Sequence, residues 1–376
     1  MSLRRKIAIS ALATVVILLG VAALGIYFFA NESYASGIDA YTGTARAVSD
    51  KDMLPAMLDG EHYSDKYTIE GYFKGGGDIY VSLLIKNFGM GDGKLTFKSR
   101  LTLADGTSLR GGGNEKARDK WSFATSPFSL EADGQKITGK PREFVVSGAG
   151  EGYTFEITFK ASVPPWRPGS GRITFGSNDI VWDTTLLQPK SAISGWIEVN
   201  GERKEIGGYG YAVHTYANVP PHEHAKRWVD FRAISGSTVV YYKEFTAPEK
   251  LGGATYPYLL VAQKGKVVFE SLTAKVTYGD WQTDNKHENK YRVPEKLLIT
   301  DEKDGKKLKL AIAAGKLKGR EDVIEGLSSI EGAIVSKLAK PVNYRYGGKF
   351  EVSIETPEGE VTGSGSGTLE VNHLNK

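Results

Sequence analysis

From residue 67 onward, apolar and polar residues alternate with a period of two in one short run after another: "YTIEGYF", "DIYVSLLIKNF", "KLTFKSRLTL", "REFVVSG" and "YTFEITFKA". The pattern resumes after residue 226 with "KRWVDFRAIS", "STVVYYKEFT", "YPYLLVAQKG", "KLKLAIAA" and "KFEVSIET". Successive side chains of a strand point to opposite faces, so these runs commit the chain to sheets with a buried face. Their Tyr, Phe, Val, Ile and Thr suit a pleated, half-buried surface. Asp105-Gly106, Asp133-Gly134, Asn200-Gly201 and Asp304-Gly305 punctuate the runs as turns. Asn200-Gly201, inside "WIEVNGERKEI", predicts a two-residue hairpin, because Asn and Gly tolerate the positive φ angles of a type I′ turn. No helical pattern alternates with the strands. That excludes a parallel α/β sheet and leaves an all-β chain of antiparallel barrels or sandwiches. One helix interrupts the second set: Val323, Leu327, Ile330, Ile334 and Leu338 predict a helix near 321–339, ending before Pro341 and covering a barrel end.

The N-terminus predicts a compartment. Arg4, Arg5 and Lys6 precede Ile7 to Ala30, a stretch of 24 residues without a charge. As a helix it is about 36 Å long, enough to cross a hydrocarbon core of roughly 30 Å. A secretory signal has a shorter apolar region, so residues 1–36 are expected to remain as a transmembrane anchor. The basic flank stays in the cytoplasm. The expectation is therefore a single-pass protein of the cell inner membrane, with its body in the periplasm and residues 37–60 as a stalk. The chain has no cysteine, which excludes a thiol nucleophile and thiolate metal ligands. Setting aside Arg4, Arg5 and Lys6 leaves 45 basic against 44 acidic side chains, so charge offers no case for nucleic acid.

"YGYAVHTYANVPPHEHAKRW", residues 209–228, places three of the six histidines within eleven residues. His222 and His224, with His214 or Glu223, suggest a metal set. Pro220-Pro221 argues against a regular strand there, and no further ligands stand nearby, so no metal is expected. A histidine oriented by Glu223 or Asp230 would suit acid–base chemistry, but no nucleophile elbow or carboxylate pair accompanies it. The aromatic company is the third signal: Tyr209, Tyr211, Tyr216, Trp228 and Phe231 surround the cluster. Such rings line cavities for apolar ligands, and they also suit ordinary barrel core.

Residues 189–233, "PKSAISGWIEVNGERKEIGGYGYAVHTYANVPPHEHAKRWVDFRA", resemble the signature of the tandem lipocalin-like superfamily. That group includes the fungal survival-factor proteins, the carotenoid hydratases and the decalin-forming Diels–Alderases. Pro221-His222 followed by Ala225-Lys226-Arg227-Trp228 is most similar to the survival-factor branch. "GSGRITFGSND" and "GEVTGSGSGTLEV" also fit. The resemblance implies two lipocalin-like barrels, expected at 61–212 and 213–376. It implies binding and movement of a hydrophobic lipid, ceramide-like or isoprenoid, without a cofactor. His214, Tyr209, Tyr211, Tyr216, His222, Trp228 and Asp230 become the candidate ligand-binding residues. For the hydratases it implies an Asp before the histidine of the tyrosine strand. Here that position is Val213, with Asp230 as a substitute, so a hydratase, isomerase or cyclase acting on an isoprenoid-type substrate is the alternative.

Overall fold

A computed structural model describes residues 37–87, 92–322 and 340–374 of the chain. The expected anchor, Ile7 to Ala30, lies outside these residues. So does all of the expected helix near 321–339 except its first two positions. Among the described residues, no helix is long and apolar enough to cross a membrane.

The described residues form two antiparallel sheets, one of 13 strands and one of nine. Both follow one plan. In the second, each strand from Arg227–Ser235 to Gly359–His373 lies beside its neighbours in sequence, and the last strand pairs with the first, Arg227 opposite His373. One seam interrupts the ring, between Lys266–Ser271 and Lys275–Thr283. In the first, the meander runs from Ser64–Phe73 to Glu202–Ala217, and these two strands pair in turn. Its seam falls between Ser108–Lys116 and Ser122–Thr125. Ser108–Lys116 crosses close over the opposite wall, where the Glu151 amide donates to the Arg110 carbonyl at 3.0 Å. A Cβ on Gly111 would stand 2.6 Å from the Gly150 Cα, so this crossing requires glycine. Each sheet is thus a barrel-like ring in which the first and last strands of the meander pair and one seam stays open.

Alternation supplies three cores. Tyr67, Leu83, Phe128, Phe144 and Phe159 belong to the cluster inside the first barrel, and Phe231, Tyr242, Leu259, Ile299 and Phe350 to that inside the second. A third cluster joins the outer faces, with Trp166, Trp182 and Tyr211 from the first barrel meeting Tyr241, Phe245 and Tyr258 from the second. Burying each such ring stabilises by roughly 1.5–3 kcal/mol. At Asn200-Gly201 both residues have positive φ, 51° and 84°, as the hairpin requires.

Three expectations differ from the structure. Residues 37–60 are not a free stalk: Ile38–Ala40 pairs with Arg172–Phe175, Asp50–Met53 forms a 3-10 turn, and Tyr41, Asp52 and Met53 are buried. The boundary expected between 212 and 213 falls within the strand Glu202–Ala217, whose ladder of hydrogen bonds to Ser64–Phe73 continues through it. The connection between the barrels is residues 218–226 and holds the helical turn Pro221–His224. Finally, Glu321 and Asp322 do not start a helix but end the strand Lys306–Asp322, paired with Asn343 and Val342.

Candidate functional site

The strand Glu202–Ala217 serves two sites at once, because its alternate residues face opposite ways. Ala212, His214 and Tyr216 turn toward the interior of the first barrel, whereas Tyr211, Val213 and Ala217 turn toward the second.

The inward site closes one end of the first barrel. His214 is buried and stacks on Tyr67, with ring centroids 4.1 Å apart. Its Nδ1 lies 2.7 Å from the Asp52 carbonyl and its Nε2 lies 2.6 Å from Asp65 Oδ1. A carbonyl and a carboxylate only accept, so both ring nitrogens donate and the ring is an imidazolium. Burial opposes that charge, but Asp65 and the Asp52 carbonyl outweigh it and raise the pKa of His214. With both nitrogens occupied, His214 fastens the 37–60 segment and is not a free base. Asp65 Oδ2 also accepts from the Ala56 amide at 2.7 Å and from the Tyr63 hydroxyl at 3.0 Å. Beside it, buried Arg167 joins Asp52 Oδ1 at 2.7 Å and both Asp183 oxygens at 2.7 and 2.8 Å. Arg46 holds Asp52 from the solvent side. Burial works to raise the Asp52 pKa, but these bonds bring it down to about 2. A cavity of about 510 Å³ opens over this network, with Arg46, Arg172, Asp183 and His214 on its wall.

The outward site lies between the barrels. It is a cavity of about 700 Å³, within the range of small-molecule sites. Trp182, Leu186, Tyr211, Val213 and Val219 come from the first barrel and its connection, and Trp228, Tyr241 and Tyr258 from the second. Its charged groups are mostly paired. Glu70 accepts from Tyr211 at 2.5 Å, from Tyr72, and from Arg232 at 3.2 Å, so one carboxylate ties the two barrels together. The Arg232 guanidinium lies 3.7 Å from the centroid of the Tyr211 ring, a cation–π contact across the interface. Asp230 pairs with Lys243 at 3.1 Å. Lys66, Lys86 and Lys98 lie toward the solvent side.

The seven candidates therefore divide. Tyr211, Trp228 and Asp230 line the interbarrel cavity, Tyr216 lines both cavities, and His214 lines only the inward one. Tyr209 is 39% exposed, stacks on Tyr72 and lines neither. His222, on the turn Pro221–His224, sits 3.5 Å from Glu223 and also lines neither. Among the described residues, no three His, Asp or Glu side chains converge as a metal set. The sequence does not mark Glu70 and Arg232 as cavity residues, and it offers His224 only as a metal candidate. Glu70 stands out in the sequence as a lone acid in the aromatic-rich run "YTIEGYF".

Two barrels of this kind around a shared aromatic cavity define a tandem lipocalin-like protein. The Svf1 family model matches residues 111–373, and the chain belongs to that family. Comparison with curated protein sequences finds no match. Among solved structures, CghA with Sch210972 is similar at 9% identity over 92% of this chain and 97% of that one, with a TM-score of 0.57. Kievitone hydratase from Nectria haematococca is similar at 12% identity over 91% and 99%, with a TM-score of 0.53. At these identities the likeness establishes the shared fold alone.

Proposed function

We propose that this protein binds a hydrophobic, lipid-like molecule in the cavity between its barrels and carries it at the membrane that Ile7 to Ala30 anchors. The observation that supports this reading best is the cavity of about 700 Å³, walled by Trp182, Tyr211, Trp228, Tyr241 and Tyr258. An apolar chain gains about 0.8 kcal/mol for each CH₂ buried there, so aromatic walls suffice for affinity. The test is mass spectrometry of molecules extracted from the purified full chain and from a Val213→Trp variant, whose indole would fill the cavity. A compound held by the native chain and lost from the variant is the expected result. Equal retention by both overturns the reading. Orientation is tested separately: a reporter that works only outside the cytoplasm should be active when fused at the C-terminus.

A second reading rests on Val213 and Asp230. Position 213, where the hydratase resemblance implies an acid, faces this cavity, and Asp230 lines it too. An acid there would suit hydration or cyclisation of a bound polyene. Turnover of the extracted compound, abolished in Asp230→Asn while binding persists, would favour an enzyme over a carrier.

A further inference from the structure

The cavity over the inward site holds more positive charge than the network beneath it uses. Within that network Arg167, the His214 imidazolium and Arg46 balance Asp52, Asp65 and Asp183. Arg172 and Lys51 are then in surplus, with Asp39 alone against them on the wall. Arg172 is only partly engaged: its Nε lies 3.3 Å from Asp183 and its Nη2 donates to the Tyr216 hydroxyl at 2.9 Å, while Nη1 has no partner among the described residues. Lys51 is exposed, and the carboxylates beside it in sequence are taken, Asp50 by Lys140 and Asp52 by Arg46 and Arg167. Arg46, Lys51 and Arg172 reach the cavity from three places: the loop after Tyr41, the turn Asp50–Met53 and the strand Arg172–Phe175. Thr42, Thr44, Ser170 and Thr174 also line it, so this wall offers hydroxyls where the cavity between the barrels offers rings.

We propose that this cavity is a second binding site, which takes a phosphate ester held by Arg46, Lys51 and Arg172. Guanidinium forks match the oxygens of an oxyanion, and a lysine adds a point charge. A phosphate monoester carries about −1.5 to −2 charges at neutral pH and three acceptor oxygens, one for each cation. A carboxylate has one charge and two oxygens. A volume of about 510 Å³ is more than a bare phosphate fills and falls among small-molecule sites, so the phosphate is borne on a further polar group. A soluble ester and the head group of a lipid share this chemistry. Asp39 lines the cavity, and Gly37 follows Ala30 by seven residues, at most about 25 Å of extended chain, which keeps the site near any membrane that holds Ile7 to Ala30.

Isothermal titration calorimetry on the full chain in mild detergent tests this with glycerol 3-phosphate, dihexanoyl phosphatidate, glycerate and glycerol. Glycerol 3-phosphate should bind about tenfold more tightly than glycerate, and glycerol should not bind. Lys51→Ala should weaken glycerol 3-phosphate about tenfold, the worth of one charge-assisted hydrogen bond, and Lys51→Glu should weaken it further. Lys303→Glu makes the same change of charge at the end of a strand in the second barrel and should bind as the native chain does. Phosphatidate bound about tenfold more tightly than glycerol 3-phosphate, and weakened by Lys51→Glu, identifies a lipid head group as the source; any other phosphatidate result beside Lys51-dependent glycerol 3-phosphate identifies a soluble ester. The inference is overturned when neither phosphate probe binds, when glycerate binds as tightly as glycerol 3-phosphate, or when Lys51→Glu binds both phosphate probes no worse than Lys303→Glu does. None of these results touches the reading of the cavity between the barrels.

Discussion

Arg167→Met tests whether the charged network, and not apolar packing, fixes residues 37–60 to the first barrel. Arg167 is 8% exposed, and the carboxylates it bridges, Asp52 and Asp183, are buried more deeply still. Methionine keeps much of the aliphatic stem, so the change removes the charge and six hydrogen bonds while leaving most of the volume. Those bonds include Thr185 Oγ1 at 2.7 Å and the Ser170 carbonyl at 2.8 Å. Asp52 would still hold Arg46, but Asp183 would be left with the Tyr216 hydroxyl and Arg172, the latter at 3.3 Å and itself 44% exposed. Removing one partner of a buried ion pair costs about 3–5 kcal/mol, a large share of a domain's total of roughly 5–15 kcal/mol. Urea unfolding followed by tryptophan fluorescence, with trypsin cleavage within residues 37–60, measures the loss. Burial already raises the Asp183 pKa, against the pull of Arg167 and Arg172. Without Arg167 the carboxylate protonates still more readily, so the deficit should shrink as pH falls toward 4. Arg167→Met with Asp183→Asn should recover part of the loss. A change below about 1 kcal/mol, with residues 37–60 still protected, would refute the reasoning.

His214→Ala should cost about 1–3 kcal/mol, because it leaves Asp65 Oδ1 and the Asp52 carbonyl without the ring that donates to them; melting of the two proteins compares them. The near-neutral effect that a lone cavity-facing histidine would give is not expected. Since the folded His214 pKa is raised, its stabilisation is whole below the unfolded value of about 6.5 and is lost as pH rises through the folded value. Native and His214→Gln melting curves should therefore converge toward alkaline pH. His224 works in the opposite sense: its folded pKa of about 3 means that stability falls as pH drops below about 6.5, an effect that His224→Gln should remove. Trp228→Ala should cost about 2 kcal/mol by urea unfolding, less than the 3–5 kcal/mol of a fully buried tryptophan, because Trp228 is only half-buried beside the cavity.

The strands were legible because period-two alternation is a local signal, and the Asn200-Gly201 turn is local too. Residues 37–60 were not legible as part of the barrel. Their burial depends on Asp52, Arg167 and Asp183 meeting, and no apolar periodicity records that pairing. The sequence suggests a boundary at 212–213, five residues before the strand ends, because aromatics and histidines from 209 to 217 read as a cluster. In fact Tyr211 and Val213 alternate with Ala212 and His214 as in any other strand. His214 was identifiable as a candidate, but its role was not, since Asp65 and Asp52 lie some 150 residues away in the chain. The same distance hides the cavity, whose walls come from both barrels.

Closing each barrel by its two ends orders events during synthesis. The first can close once Ala217 has emerged, while the second is still being translated. Until Thr368–His373 is made, Arg227–Arg232 lacks its ring-closing partner and presents a row of bare amides and carbonyls, the kind of edge on which chains aggregate. Over the same interval Trp166, Trp182 and Tyr211 wait on the outside of the first barrel for the face that will cover them. A message broken near its end would thus yield a chain with one complete barrel and one open one. Such a product presents a free strand edge of the kind that chaperones and proteases engage, whereas a chain stopped soon after residue 217 would instead expose Trp166, Trp182 and Tyr211.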